Sequence, residues 1–122
     1  MAPNEGNSFD NQPLGDIPLS LDAILDILAS ERRRALLEYL WNRPDNSGSF
    51  EEATKYTIAK IGEKRGVQPN HDDIQVDLQH HQLPKMADAG VVDYDVRSQR
   101  TRYHENERLE EAYEKVEELT DD

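Results

Sequence analysis

The chain has 122 residues, of which 33% are charged and 35% hydrophobic, with a formal net charge of -12 and no cysteine. This length fits one domain with tails. The lack of cysteine excludes disulfides, cysteine nucleophiles and thiolate metal sites.

Residues 1–18 are rich in Asn, Gly, Pro, Asp and Gln, a composition that predicts a disordered N-terminal tail. They lack the basic start and apolar run of a signal peptide. No stretch of the sequence approaches the roughly 18 consecutive apolar residues that a membrane helix needs. We therefore expect a cytoplasmic protein with no membrane partner.

Two short helices are predicted next, with Ser20 and Ser30 as their N-cap residues. Pro44 stops the second of them. Their predicted buried faces follow helical spacing: Leu21, Ile24, Leu25 and Leu28 in the first helix, then Leu36, Leu37, Leu40 and Trp41 in the second.

A third helix is predicted after a turn-forming loop at residues 45–49. Ser49 and Glu52 have the spacing of a capping box, which marks the start of a helix. Gly66 suits its C-terminal end, because glycine readily adopts the left-handed conformation found there.

A fourth helix is predicted to begin near Asp72 and Gln75, a second capping-type pair, and to end at Gly90. Pro84 lies inside this helix. Because proline removes one backbone hydrogen bond and clashes with the preceding turn, we expect a kink or a break there.

Residues 91–96 alternate between apolar and polar side chains, residues 97–99 form a polar turn, and residues 100–104 return, so a β-hairpin is predicted. A last helix begins at Glu105. The order predicts a mainly α fold with a β-hairpin. We interpret it as a winged helix-turn-helix over residues 19–104, followed by an acidic C-terminal helix over residues 105–122.

Two stretches carry a resemblance to a known family. Residues 21–40 read LDAILDILASERRRALLEYL, and residues 78–94 read LQHHQLPKMADAGVVDY. They resemble a family of small haloarchaeal winged-helix domains of unknown function, which is itself similar to the ArsR-like transcription regulators. Met86 stands where that family has leucine, a change that conserves volume. The resemblance covers residues 19–103 and implies a winged-helix fold and a role in transcription.

The predicted fourth helix is dense in side chains that can read base edges in the major groove of double-stranded DNA. They are Gln75, Gln79, His80, His81, Gln82 and Lys85. A polar helix face can equally be merely solvated. Asp72, Asp73 and Asp77 also count against this hypothesis, because they would repel phosphate.

The hairpin carries Arg97, Arg100 and Arg102, which would contact phosphate or the minor groove. The alternative is that Asp93 and Asp95 pair with Arg100 and Arg102 across the hairpin. Arg97 lies nearest the turn and is least affected by this objection.

The net negative charge opposes a polyanionic partner, but it is concentrated at the two ends of the chain. Residues 19–103 hold fourteen acids and twelve bases. Strong acidity without cysteine is also typical of a protein from a salt-saturated cytoplasm, where a Debye length of about 3 Å mutes long-range electrostatics. We therefore expect a halophilic protein, for which acidity is weak evidence against DNA. The alternative is a mesophilic acidic protein that avoids polyanions.

Arg32, Arg33 and Arg34 occupy nearly a full helical turn and cannot all face one partner, so we favour a structural role for this run. The four histidines lack the H-x-x-x-H spacing of a metal site. No catalytic motif occurs either. We expect no metal, no cofactor, no small-molecule substrate and no enzymatic activity.

The last helix has one apolar stripe, formed by Leu109, Tyr113, Val116 and Leu119. It predicts a homodimer, because an appended helix can pair two copies and space their recognition helices along DNA. The alternative is that the helix folds back on the first helix of its own chain. The sequence thus favours a DNA-binding transcription regulator of a halophilic archaeon, the rival being a winged-helix module that binds protein.

Overall fold

The computed structural model describes residues 19–120, which form a mainly helical protein with a small three-stranded antiparallel sheet. In chain order the elements are α1 (Leu21–Leu28), α2 (Glu31–Trp41), β1 (Ser47–Ser49), α3 (Phe50–Arg65), α4 (His71–Asp77), a π-helical turn (Leu78–Gln82), α5 (Leu83–Asp88), β2 (Val92–Asp95), β3 (Arg100–Tyr103) and α6 (Glu107–Thr120). No helix within this part of the chain is long and apolar enough to span a membrane. The tail predicted at residues 1–18 lies outside the described residues.

Serine caps start the first three helices, as predicted. The hydroxyls of Ser20, Ser30 and Ser49 accept hydrogen bonds from backbone N–H groups three residues later, at 3.0, 3.3 and 3.0 Å. Each bond satisfies a donor that has no partner within its own helix. Gly66 ends α3 in the left-handed conformation, with φ 77°, which also confirms the sequence prediction.

Two helices begin at other residues than those predicted. The cap before α4 is Asn70, whose Oδ1 accepts from the backbone N–H of Asp73 at 3.0 Å, so the proposed Asp72–Gln75 start was two residues late. Asn106 caps α6 in the same way, accepting from Leu109 at 3.0 Å. The helix therefore starts after Glu105 rather than at it.

The sheet has the strand order β1-β3-β2, with both pairs antiparallel. Strands β2 and β3 are the predicted hairpin. Strand β1 was predicted to be part of a loop, because Ser47–Ser49 has little strand character of its own. It is formed by pairing with β3, in which Gly48 lies opposite Thr101.

The core corrects the predicted buried face of α1. Ile24, Ile27 and Leu28 are at most 2% exposed, whereas Leu21 is 60% and Leu25 51% exposed. Because α1 packs on α2 and α6, only the side of the helix that faces those two elements is covered. The outer leucines remain on the surface.

Helix α6 folds back on its own chain, which is the second alternative for the predicted dimerisation stripe. Leu109 is fully buried and Tyr113 is 8% exposed, while Val116 packs against the same core and Leu119 is 79% exposed. Leu109 and Tyr113 complete the core of a single chain. The prediction that these two side chains lie on the surface and contact a second copy is therefore wrong.

A close approach of helix α2 to β1 requires glycine at position 48. A Cβ there would lie 2.6 Å from Cε2 and Cζ of Tyr39, too near for either group to fit. We expect Gly48→Ala to lower the free energy of unfolding by about 2 kcal/mol, since overpacking typically costs about 1–3 kcal/mol. Urea denaturation measures this.

Gly62→Ala is the matched control, because Gly62 lies inside α3 and a Cβ would meet the flexible Gln68 side chain at 3.1 Å. Removing a helical glycine is worth roughly 0.5–1 kcal/mol, so this variant should be unchanged or slightly more stable. If both variants were equally stable, Tyr39 would not pack closely on Gly48 as described.

Candidate nucleic-acid interface

Residues 71–88 form one continuous helix, made of α4, the π turn and α5, and we call it the bent helix because π turns typically kink a helix. In the π turn the backbone N–H of Leu83 bonds to the carbonyl of Leu78, five residues earlier. Pro84, which has no N–H to donate, follows directly in the first turn of α5. The predicted kink thus takes the form of a widened turn, a feature that often marks functional sites.

The Arg33 guanidinium fastens the π turn to the end of α1. Its Nε donates to the carbonyl of Ile27 at 2.8 Å and its Nη2 to that of Asp26 at 2.7 Å. Its Nη1 donates to Oε1 of Gln82 at 2.7 Å. The two carbonyls belong to the last turn of α1, where backbone acceptors lack helical partners. Arg33 therefore caps one helix and positions another.

Burial of Arg33, which is 8% exposed, lowers the pKa of its guanidinium, and the nearby carboxylates of Asp26 and Asp77 act in the opposite direction. Arginine remains charged in such surroundings. The hidden positive charge is stabilised by the negative end of the α1 dipole.

Asp77 extends this network on the surface side. Its carboxylate accepts from Nε2 of Gln82 and from Nη1 of Arg32, both at 2.9 Å, and lies 3.1 Å from Nδ1 of His81. Burial acts to raise the pKa of Asp77, but the hydrogen bonds from Gln82 and Arg32 outweigh it and the pKa is lowered. Asp77 is therefore held as a carboxylate.

The arginine run has the structural role that its spacing predicted. Arg32 pairs with Asp77, and Arg33 is buried. Arg34 donates to the carbonyl of Leu28 at 2.7 Å and lies 3.8 Å from Glu117 of α6. All three side chains therefore hold the fold together.

Four of the six predicted base-reading residues on the bent helix have partners within the chain, and His81, beside Asp77, is one of them. Gln75 donates to Glu51 at 3.1 Å, and Gln82 lies in the Arg33 network. Lys85 pairs with Asp26 at 2.7 Å, and this contact lowers the pKa of the Asp26 carboxyl. Because an exposed ion pair contributes only about 0–1 kcal/mol, Lys85 can exchange Asp26 for another anion.

Gln79, His80 and, despite its contact with Asp77, His81 are the more accessible residues of this set. His80 and His81 are exposed, and Gln79 is half-buried. The widened turn shifts the helical register by one residue and leaves both histidines on the outer surface. The surface expected to read bases therefore narrows to Gln79, His80 and His81, with Lys85 beside them.

The hairpin arginines Arg97, Arg100 and Arg102 are all exposed. The register places Asp95 opposite Arg100 and Asp93 opposite Arg102, as the cross-strand alternative requires. Asp95, however, accepts from the backbone N–H of Arg97 at 3.1 Å and from the Ser98 hydroxyl at 2.9 Å.

Asp93 has a different neighbour, since one of its oxygens lies 2.7 Å from Nε2 of the buried His104. Within residues 19–120, the side chains of Arg97 and Arg100 form no ion pair. Two positive charges thus remain available at the tip of the hairpin.

Residues 25–102 match the family model of a domain of unknown function, DUF7344. The chain belongs to this family. The DUF7344 region includes Arg33, the bent helix and most of the hairpin, while α6 lies outside it. No curated protein and no solved structure matches the chain.

Sequence reasoning missed the central place of Arg33 in the DUF7344 region. The run of three arginines shows that at least one must turn inward, but it does not show which one or what it binds. The spacing of Ile27, Arg33 and Gln82 along the chain gives no sign that they meet. Only the packing of α1, α2 and the bent helix brings them together.

Replacing Arg33 tests this network. We expect Arg33→Met to lower the free energy of unfolding by about 3 kcal/mol, because buried acceptors lose their donors. Arg33→Lys should recover only part of the lost stability, since an ammonium group cannot reproduce the planar, three-nitrogen geometry of the guanidinium. Denaturation at fixed salt concentration measures both.

Arg32→Met serves as the comparison, because it removes a neighbouring arginine that makes a half-exposed ion pair. Its loss should cost less than about 1 kcal/mol. If Arg32→Met and Arg33→Met were equally destabilising, the Arg33 guanidinium would have no special structural role.

Proposed function

We propose that this DUF7344 protein is a DNA-binding transcription regulator with a winged helix-turn-helix fold. The observation that carries the proposal is the element order α2-β1-α3-bent helix-β2-β3 together with the strand order β1-β3-β2. This is the arrangement in which winged-helix domains place a recognition helix before a β-hairpin wing. On this proposal α1 and α6 are additions to the domain.

The bent helix would then enter the major groove. Gln79, His80 and His81 would contact base edges, because amide and imidazole groups both donate and accept hydrogen bonds there. Lys85 would leave Asp26 for a phosphate. Asp72 and Asp73 lie exposed in the first turn, so the end of the helix at His71 would point away from the DNA backbone.

The hairpin would act as the wing, with Arg97 and Arg100 on the phosphate backbone and Arg102 nearer the body of the domain. Such contacts supply affinity without reading sequence. The net charge of -12 fits this function best in a cell at molar salt, as in a halophilic archaeon, where screening mutes the repulsion between DNA and the acidic surface. The proposed location is the cytoplasm.

A second candidate is a module that binds another protein. Two observations favour it: Lys85 is already neutralised by Asp26, and Leu21 and Leu25 expose apolar surface one turn apart on α1. The same leucines and Leu119 are among the exposed apolar positions that could serve a homodimer, whereas Leu109 and Tyr113 are buried.

Selection from a random duplex library at 1 M KCl, followed by fluorescence anisotropy across a salt series, tests DNA binding. Each phosphate contact contributes about 0.9 to the slope of log K against log salt. We expect Arg97→Ala with Arg100→Ala to lower that slope by roughly 2. His80→Ala should instead lower the ratio of affinity for the selected duplex to affinity for an unrelated duplex by about tenfold. This corresponds to about 1.4 kcal/mol for one lost base contact.

Lys115→Ala is the matched control, because Lys115 is exposed on α6, outside the proposed interface, and it should bind as the native chain does. Sedimentation of the free protein in the same buffer distinguishes a dimer from a monomer. If no sequence is enriched, or if the double arginine variant binds like Lys115→Ala, the DNA proposal fails and the protein-binding candidate is favoured.

A further inference from the structure

A cleft of about 330 Å³ lies between α6, the end of α2 and strand β3, and the proposed DNA contacts do not use it. Three aromatic residues and three glutamates line most of it. They are Trp41, Tyr103, Tyr113, Glu105, Glu110 and Glu114. Its volume is at the lower end of the range of small-molecule sites, roughly 300–1,000 Å³.

The aromatic wall is rigidly built. The Trp41 ring meets Tyr113 edge-on, with 4.7 Å between centroids and an interplanar angle of 88°, and meets Tyr103 at 5.5 Å and 75°. The Tyr103 hydroxyl donates to Oε2 of Glu110 at 2.8 Å. Burial raises the pKa of both tyrosines, so they stay neutral. Because Tyr103 is 3% and Tyr113 8% exposed, the half-buried Trp41 supplies the accessible ring surface of the cleft. An indole ring attracts cations through its face.

The carboxylates make the cleft strongly negative. Glu105 and Glu114 are exposed and form no ion pair with any residue between 19 and 120. Glu110 is occupied by Tyr103, and no basic side chain lines the cleft. Two uncompensated charges therefore lie beside an aromatic surface.

These features select for one class of ligand. An anion would be repelled, and a neutral apolar molecule would leave the carboxylates without a partner. A metal ion is disfavoured because no group of three or more His, Asp or Glu residues in the described part of the chain is placed to hold one. A cation with an apolar surface can contact the aromatic surface and neutralise the carboxylates at the same time. Alkylated ammonium groups bind in this way in aromatic cages.

We propose that this cleft binds a small organic cation through an alkylated ammonium group, which would lie against Trp41, whose ring is held by Tyr103 and Tyr113, and be neutralised by Glu105 and Glu114. The site is independent of the DNA proposal. It adds a ligand to a chain whose sequence gave no sign of one, because its residues come from α2, β3 and α6 and meet only in the fold.

Trp41 is the only tryptophan of the chain, so its fluorescence reports directly on the cleft. The probes are tetramethylammonium and choline, titrated at constant ionic strength with KCl as the balancing salt. The neutral carbon isostere of choline, 3,3-dimethylbutan-1-ol, is the matched ligand control. We expect saturable changes with both cations and binding of the alcohol at least about tenfold weaker, because only the cations attract the rings and carboxylates.

The variant arm uses Glu105→Gln combined with Glu114→Gln, which removes two exposed charges that make no ion pair in the fold. This should weaken choline binding at least about tenfold, while Glu118→Gln, exposed on the same helix outside the cleft, should leave it unchanged. Thermal denaturation checks that each variant is folded. The proposal is overturned if neither cation saturates, if the alcohol binds equally well, or if the double variant keeps native affinity.

Discussion

The fold depends on one buried guanidinium that joins the end of α1 to the bent helix, two elements that are otherwise linked by the exposed Lys85–Asp26 ion pair. Arg33 supplies three directed donors, two to backbone carbonyls in the last turn of α1 and one to the side-chain amide of Gln82 on the π turn. A buried charge is costly unless it is fully hydrogen-bonded. Each of the three nitrogens of this guanidinium donates a hydrogen bond, and its geometry fixes where the bent helix lies relative to α1.

The same network determines which side chains are left for a partner. Gln82 and Asp77 are held by Arg33 and Arg32, so they cannot also read a ligand, whereas the widened turn leaves His80 and His81 outside. Asp77 and Asp26 neutralise Arg32 and Lys85 of the same chain. Within residues 19–120, the positive charge that stays without an ion pair on the hairpin is that of Arg97 and Arg100, despite the net charge of -12.

Local signals in the sequence were sufficient for much of the architecture. Ser20, Ser30 and Ser49 mark helix starts because a hydroxyl caps its own helix, and the hairpin follows from alternation within one segment. Strand β1, the exposed faces of Leu21 and Leu25, and the burial of Leu109 depend on distant elements. So do the Arg33 contacts and the aromatic cleft, which join residues far apart in sequence.

A double-mutant cycle tests most directly the claim that Arg33 and Gln82 together position the bent helix. Arg33→Met, Gln82→Met and the combined variant would be compared by urea denaturation. The account predicts that the losses of unfolding free energy in the two single variants add up to more than the loss in the combined variant. The difference should be at least about 1 kcal/mol, as for a hydrogen bond to a charged group. Losses that add to within about 0.5 kcal/mol would contradict it, because the two side chains would then act independently.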